Sequence, residues 1–105
     1  MRIRIALAVV VASSQYCFAA SVGNTENGTA LATRWCASCH IVSAEQESAT
    51  TEAPPFETIA KRPADELEKL ELFLASPHAP MPPLDLSRTE IRDLIAYITS
   101  LKTLE

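Results

Sequence analysis

Five consecutive residues, Cys36-Ala37-Ser38-Cys39-His40, constrain this chain more than any other feature in it. Two cysteines separated by two residues and followed at once by a histidine form the spacing at which a c-type haem is attached. Each thiol can form a thioether with a haem vinyl group. The histidine then lies under the iron as its proximal ligand. Three other readings compete. A thioredoxin-like redox pair calls for a βαβ context, and no alternating strand pattern of useful length is visible. Zinc would draw on Cys36, Cys39, His40 and His78, but the adjacent Cys39-His40 pair and the long gap to His78 match no finger spacing. A plain Cys36–Cys39 disulfide asks only for an oxidising compartment.

The compartment is readable at the start of the chain. Arg2 and Arg4 precede an apolar run over residues 5–12, and small residues follow at 19–21. This order predicts a secretory signal peptide over residues 1–20, cleaved within 19–21, and a single domain over 21–105. The apolar run is far shorter than the roughly 20 residues of a membrane span, so no stable membrane insertion is expected. A buried N-terminal helix is the plainer alternative. Cys17 raises a lipid anchor, but Gln15-Tyr16 is not the small-residue run expected before a lipidated cysteine. Export places the chain in the periplasm, and c-type haem is attached to exported chains.

Cleavage simplifies the inventory. It removes Cys17 and Met1, leaving Cys36 and Cys39 as the only cysteines and Met81 as the only methionine. The remaining chain of about 85 residues is of a size at which a hydrophobic core alone gives thin stability, and a cofactor that completes the core would help. The full chain carries nine basic and thirteen acidic side chains; without Arg2 and Arg4 it has seven against thirteen, a formal charge of −6. That balance excludes nucleic acid as a partner, which would call for a basic patch. It permits steering toward a basic protein surface, or serves solubility alone.

Helical periodicity organises the rest. Gly28, Leu31, Ala32 and Trp35 fall on one helical face, two of them small enough for another helix to come close. Residues 43–53 are polar and aperiodic and read as a loop. Pro54-Pro55-Phe56 imposes an extended or turning backbone, with Phe56 and Ile59 facing inward. Pro63 opens a helix that carries Leu67, Leu70 and Leu74 and ends near Ser76-Pro77, with Asp65 and Glu66 suiting its N-terminal dipole. Four prolines within residues 77–83 forbid regular helix and hold a fairly fixed extended path. Ser87-Arg88-Thr89-Glu90 is a capping-box pattern. It opens a last helix whose buried stripe is Ile91, Leu94, Ile95, Ile98 and Leu101.

A low-spin haem needs a sixth ligand, and the proline-bracketed Met81 is the candidate. A thioether stabilises ferrous iron and raises the reduction potential. Met81 as plain core filler, and His78 as a rival ligand, stay open. A ligating histidine usually donates its other ring N–H to a carbonyl. Pro54 or Pro55 is placed to supply that carbonyl, unless the dipeptide only shapes a turn.

Over residues 28–101 the chain resembles a small bacterial class I cytochrome c. The resemblance rests on Gly28 eight residues before Cys36, on Cys36-Ala37-Ser38-Cys39-His40, on Pro54-Pro55-Phe56, on Met81-Pro82-Pro83-Leu84 and on a closing helix over 94–101. The order disfavours the four-helix cytochrome c′ type, whose haem motif lies near its C-terminus. The resemblance implies an all-α, class I cytochrome c fold, about three main helices around one covalently attached haem c. Its first and last helices cross, with Gly28 near the contact and Tyr97 on the closing helix. It implies that Cys36 and Cys39 anchor the haem, that His40 and Met81 ligate the iron, and that Pro54 accepts from His40 with Phe56 among the haem-binding residues. Lys61 or Arg62 would pair with a propionate or remain a solvated charge. One departure is Ala32, where the family often has an aromatic. Packing against Tyr97 is therefore expected to differ, with Trp35 compensating.

The function implied is one-electron transfer in the periplasm between redox partner proteins, with no reaction on a substrate, by a monomer or a subunit of a redox complex. Two alternatives stand beside it. The chain could be the cytochrome subunit of an exported dehydrogenase or oxidase complex, or a haem-based gas sensor with a weakly held Met81.

Overall fold

The computed structural model describes residues 23–50, 52–77 and 79–103, together with the isolated positions Val10 and Ala12. The expected signal peptide lies outside the described residues except for those two positions, and so does His78. The described residues form five α-helices and a closing 3-10 turn, with no strand among them. They are α1 (Thr25–Trp35), α2 (Phe56–Ala60), α3 (Ala64–Leu67), α4 (Leu70–Ala75) and α5 (Arg88–Ser100), followed by the turn Leu101–Thr103.

Helix α1 begins three residues before the apolar periodicity does. Asn24 is its N-cap, and the Asn24 side chain accepts from the Asn27 N–H at 3.0 Å. That bond satisfies one of the amides a helix start leaves without a partner. Its buried line runs Gly28, Ala32, Cys36, in steps of four. Trp35 was expected on this face and is not there. The four-residue step gives the last buried place to Cys36 and turns Trp35 outward, 48% exposed, with the Arg34 guanidinium 4.9 Å above its ring.

Helix α5 starts with a complete capping box. Ser87 Oγ accepts from Glu90 N–H at 3.1 Å, and the Glu90 carboxylate accepts from Ser87 N–H at 2.9 Å. Ile91, Leu94 and Ile98 are buried along one side and Leu101 continues the line; Leu94 is 1% exposed. Burying a leucine this fully stabilises by about 1.5–3 kcal/mol. Asp93 and Tyr97 are buried on the adjoining flank.

That flank meets α1 in the most extensive helix contact of the molecule. The chain has two glycines, and both are at this crossing. A Cβ on Gly28 would lie 2.0 Å from the Asp93 carbonyl oxygen and 2.7 Å from Tyr97 Cβ; one on Gly23 would lie 2.1 Å from the Arg92 carbonyl oxygen. The Asp93 carboxylate reaches across the same contact and accepts from Asn24 N–H at 2.7 Å.

Between the two long helices the chain turns repeatedly. Pro55 precedes α2, which buries Phe56, Ile59 and Ala60. The helix expected from Pro63 to Ser76 is delivered as two. Pro63 is the N-cap of α3, and Lys69 N–H donates to Glu66 O at 3.1 Å, a three-residue step that separates α3 from α4. Leu67 and Leu70 are three apart, the interval that a 3-10 turn brings into line. The proline-rich segment also departs from a simple extended path. It turns at Ala79 and Pro80, joined by a cis peptide bond, and has no regular secondary structure from there to Ser87. Proline fixes φ but leaves ψ open, so a run of prolines does not by itself set direction.

Gly28→Ala should destabilise by about 1–3 kcal/mol, because the added methyl meets backbone that cannot rotate away. Alanine's better helix propensity, about 1 kcal/mol, offsets only part of this. An unchanged urea midpoint would show that the two backbones are not in contact.

Candidate functional site

The five-residue motif continues α1 as a tight turn. Cys36 is the C-cap of the helix, and its N–H donates to Ala32 O at 2.9 Å. The N–H groups of Cys39 and His40 both donate back to Cys36 O, at 3.1 and 2.8 Å. One carbonyl therefore gathers both thiols and the imidazole into one turn. Cys36 is buried, Cys39 is half-buried, and no disulfide joins them. Burial, and then the neighbouring Cys39, push the Cys36 thiol up to about 11, so it is protonated at neutral pH.

His40 has its ring orientation set by a bond. Nδ1 lies 2.6 Å from the Pro54 carbonyl oxygen. A carbonyl only accepts, so Nδ1 carries the proton, and in the neutral ring Nε2 keeps its lone pair as a metal-ligand atom. Phe56 N–H donates to Ile41 O at 2.9 Å, one residue on from His40 and two on from Pro54. Together these two bonds register residues 54–56 on residues 40–41. The Phe56 ring packs on the imidazole, with centroids 5.3 Å apart and a tilt of 54°. Pro55 takes no part in the bond to His40; it serves as the N-cap residue of α2.

The loop after the motif, aperiodic in sequence, is closed by one side chain. Gln46 Oε1 accepts from Val42 N–H at 2.9 Å, while its Nε2 donates to the carbonyls of Ala37 at 2.8 Å, His40 at 2.9 Å and Ser48 at 3.1 Å. From the far side, Tyr97 O–H donates to Val42 O. Burial, and then the charge of Glu45, hold the Tyr97 phenol above its ordinary range, so it stays a donor through the neutral pH range. The aromatic neighbour of Tyr97 is Phe56, 6.4 Å away between centroids, and not Trp35.

Met81 is half-buried and packs on the hydrophobic core that contains Cys36, Phe56, Leu74 and Tyr97. The structure therefore joins Cys36, Cys39, His40, Pro54 and Phe56 by direct bonds and ring contact, and brings Met81 to them through the core. Lys61 Nζ lies 3.1 Å from a Glu57 carboxylate oxygen, and Arg62 Nε lies 4.0 Å from one of Glu66. Both cations thus have carboxylate neighbours of their own.

The donor set fits a covalently held haem: two thiols not joined to each other, an imidazole whose Nδ1 is committed to Pro54 so that Nε2 is the nitrogen left to face a metal, and a thioether on the same core. Among the described residues no cluster of three or more His, Cys, Asp or Glu is placed to hold a metal ion directly, so zinc finds no ligand set there. Sequence reasoning missed Gln46 and Asp93. Asp93 carries a signal in retrospect, a carboxylate one turn before Tyr97 and beside the apolar stripe of α5. Gln46 carries none, since its contacts depend on how a loop closes.

The family model for cytochrome c matches residues 25–102. Among curated proteins, "Cytochrome c-552" of Bradyrhizobium diazoefficiens is 47% identical over 93 residues, covering 89% of this chain and 86% of that protein. No solved structure gives a significant match.

Tyr97→Phe leaves the Val42 carbonyl without its donor and should cost about 1–3 kcal/mol in equilibrium unfolding. The pH dependence has a definite sign. Ionisation of Tyr97 is easier unfolded than folded, so its contribution is fully present below pH 10 and fades as pH rises through the raised folded value. The stability gap between wild type and Tyr97→Phe should therefore be flat up to about pH 10 and narrow above it; a gap that is constant to pH 12 would count against this account.

Proposed function

The chain belongs to the cytochrome c family, and we propose that it is a periplasmic one-electron carrier in which His40 and Met81 ligate the iron of one haem. The chain adopts the all-helical class I cytochrome c fold, and members of this family are electron carriers with covalently attached haem c. When bound, that group supplies the one-electron chemistry, its iron alternating between the ferric and ferrous states. The protein's own residues supply attachment, ligation and environment.

The observation that carries the ligand assignment is the bond from His40 Nδ1–H to Pro54. It fixes both the tautomer and the direction of the ring, and dedicates Nε2 to the metal. Cys36 and Cys39 would form the two thioethers. Met81 would provide the opposite ligand. A soft thioether favours ferrous iron and so raises the potential. Its anchoring on the core through a proline-bracketed segment supports a ligand held in place rather than one free to swing away. Phe56 packs on the imidazole and limits its rotation.

We assign residues 1–20 to an export signal and residues 21–105 to the cytochrome domain. No helix among the described residues is long and apolar enough to cross a membrane. Cytochrome c implies redox partner proteins. Such encounters are typically small and transient, and the −6 charge of the exported domain would steer it toward basic surfaces. We read the chain as a carrier without substrate turnover. A permanent subunit role would call for a large exposed apolar patch. Among the described residues, the exposed large apolar side chains within helices are Trp35 on α1 and Leu72 on α4, on different elements.

Absorption spectra of the exported protein in both redox states, with and without Met81→Ala, test this reading. The wild type should be low-spin in both states with a methionine–iron charge-transfer band. Met81→Ala should lose that band and lower the potential by on the order of a tenth of a volt or more, out of the roughly 0.8 V over which ligands and surroundings tune haem. A low-spin variant with unchanged potential would show that Met81 is not the ligand. A five-coordinate wild type would favour ligand sensing instead.

A further inference from the structure

We propose that Gln46 is a positioning residue for His40: its single carboxamide fixes the main chain on both sides of the imidazole and thereby sets the ring's orientation at the iron. This rests on the reading of His40 as the axial ligand. The orientation of the carboxamide is determined by its partners. Val42 offers an N–H, so the atom facing it is Oε1; Ala37, His40 and Ser48 offer carbonyls, so the atom facing them is Nε2. The two Nε2 protons go to the two closest acceptors, Ala37 and His40, with Ser48 sharing at longer range.

The pattern around His40 is complete. Its own carbonyl is held by Gln46, the next carbonyl by Phe56 N–H, and the next by Tyr97 O–H. The amide of Val42 is held by Gln46 as well. Of these holds, Gln46 alone grips the chain at three places inside the motif and just beyond it. Without its carboxamide the peptide between His40 and Ile41 loses the bond that holds its carbonyl, and Val42 N–H loses its acceptor. The Cα–Cβ direction of His40 follows its own backbone, so the ring would tilt and the bond to Pro54 would lengthen. A glutamine that only solubilised a loop would not make four backbone contacts.

Two variants of the haem-loaded protein separate positioning from general stability. Gln46→Met keeps the length and removes every polar contact. Gln46→Glu keeps an acceptor for Val42 and removes both donors. Two readouts follow the ring itself: the pattern of iron-shifted haem-methyl resonances in the ferric protein, which reports the plane of the axial imidazole, and the solvent exchange of the His40 Nδ1 proton. Both variants should change the methyl pattern and speed the Nδ1 exchange at least tenfold. Ile98→Val, which loosens the core in α5, should lower the melting temperature and move neither. Methyl pattern and exchange at wild-type values in both Gln46 variants would overturn the proposal, whatever happens to the melting temperature. A variant-free check covers poor folding: in the wild type the Gln46 Nε2 protons should exchange well below the rate of a solvated carboxamide, and exchange at that rate would also overturn it. Absence of iron-shifted His40 ring signals in the wild type is a different failure, that of the ligation on which the proposal stands.

Discussion

Backbone meets backbone where α1 crosses α5, and the whole functional end of the molecule hangs from that crossing. Gly23 and Gly28 let α1 press against the carbonyls of Arg92 and Asp93 with no side chain between. The closeness fixes where α1 ends, and α1 ends in the Cys36–His40 motif. It also fixes where Tyr97 stands, because its Cβ is part of the same contact. From there the phenol reaches Val42, two residues beyond His40. One approach therefore positions the motif from its N-terminal side through the helix and from its C-terminal side through a tyrosine.

The remaining precision comes from main-chain carbonyls, each with an assigned donor. Cys36 O collects the motif into a turn; the carbonyls of His40, Ile41 and Val42 go to Gln46, Phe56 and Tyr97. Buried carbonyls without partners are costly, so each of these bonds resists being broken as much as it attracts. Such a framework suits a site whose chemistry is electron transfer. Under the ligation proposed above, the protein would hold one ring and one sulfur still while the charge on the metal changes, and a set of short bonds to rigid backbone does this better than apolar packing alone.

Much of this was legible in the residues. The C-x-x-C-H spacing pointed to covalently attached haem, and the cytochrome c family match agrees with it. The capping box of α5 and the stripe from Ile91 to Leu101 followed from local rules that tertiary packing did not override. Three things were not legible. Trp35 was placed on the inner face by a spacing of seven, whereas the close crossing uses steps of four and gives that place to Cys36. The single helix expected after Pro63 divides at Lys69, where a three-residue bond replaces a four-residue one; nothing but the leucine interval hints at it. Gln46 was lost in a polar stretch, since a loop residue's partners are set by closure and not by periodicity. Spacing alone left Pro54 and Pro55 both open as acceptors for His40; the family resemblance pointed to Pro54, and it is the Pro54 carbonyl that meets Nδ1.

The bonds that tie the two ends of the domain together also impose an order in time. Asn24 is held by Asp93, 69 residues later, and Val42 by Tyr97, 55 residues later. A chain that emerges N-terminus first exposes the motif long before α5 exists to cover it. Contacts this far apart in sequence form late, because the loop between them must close first. The core that holds Cys36 together with Leu94, Tyr97 and Ile98 is therefore complete only once the last helix is in place, and that delay leaves time for attachment of the cofactor.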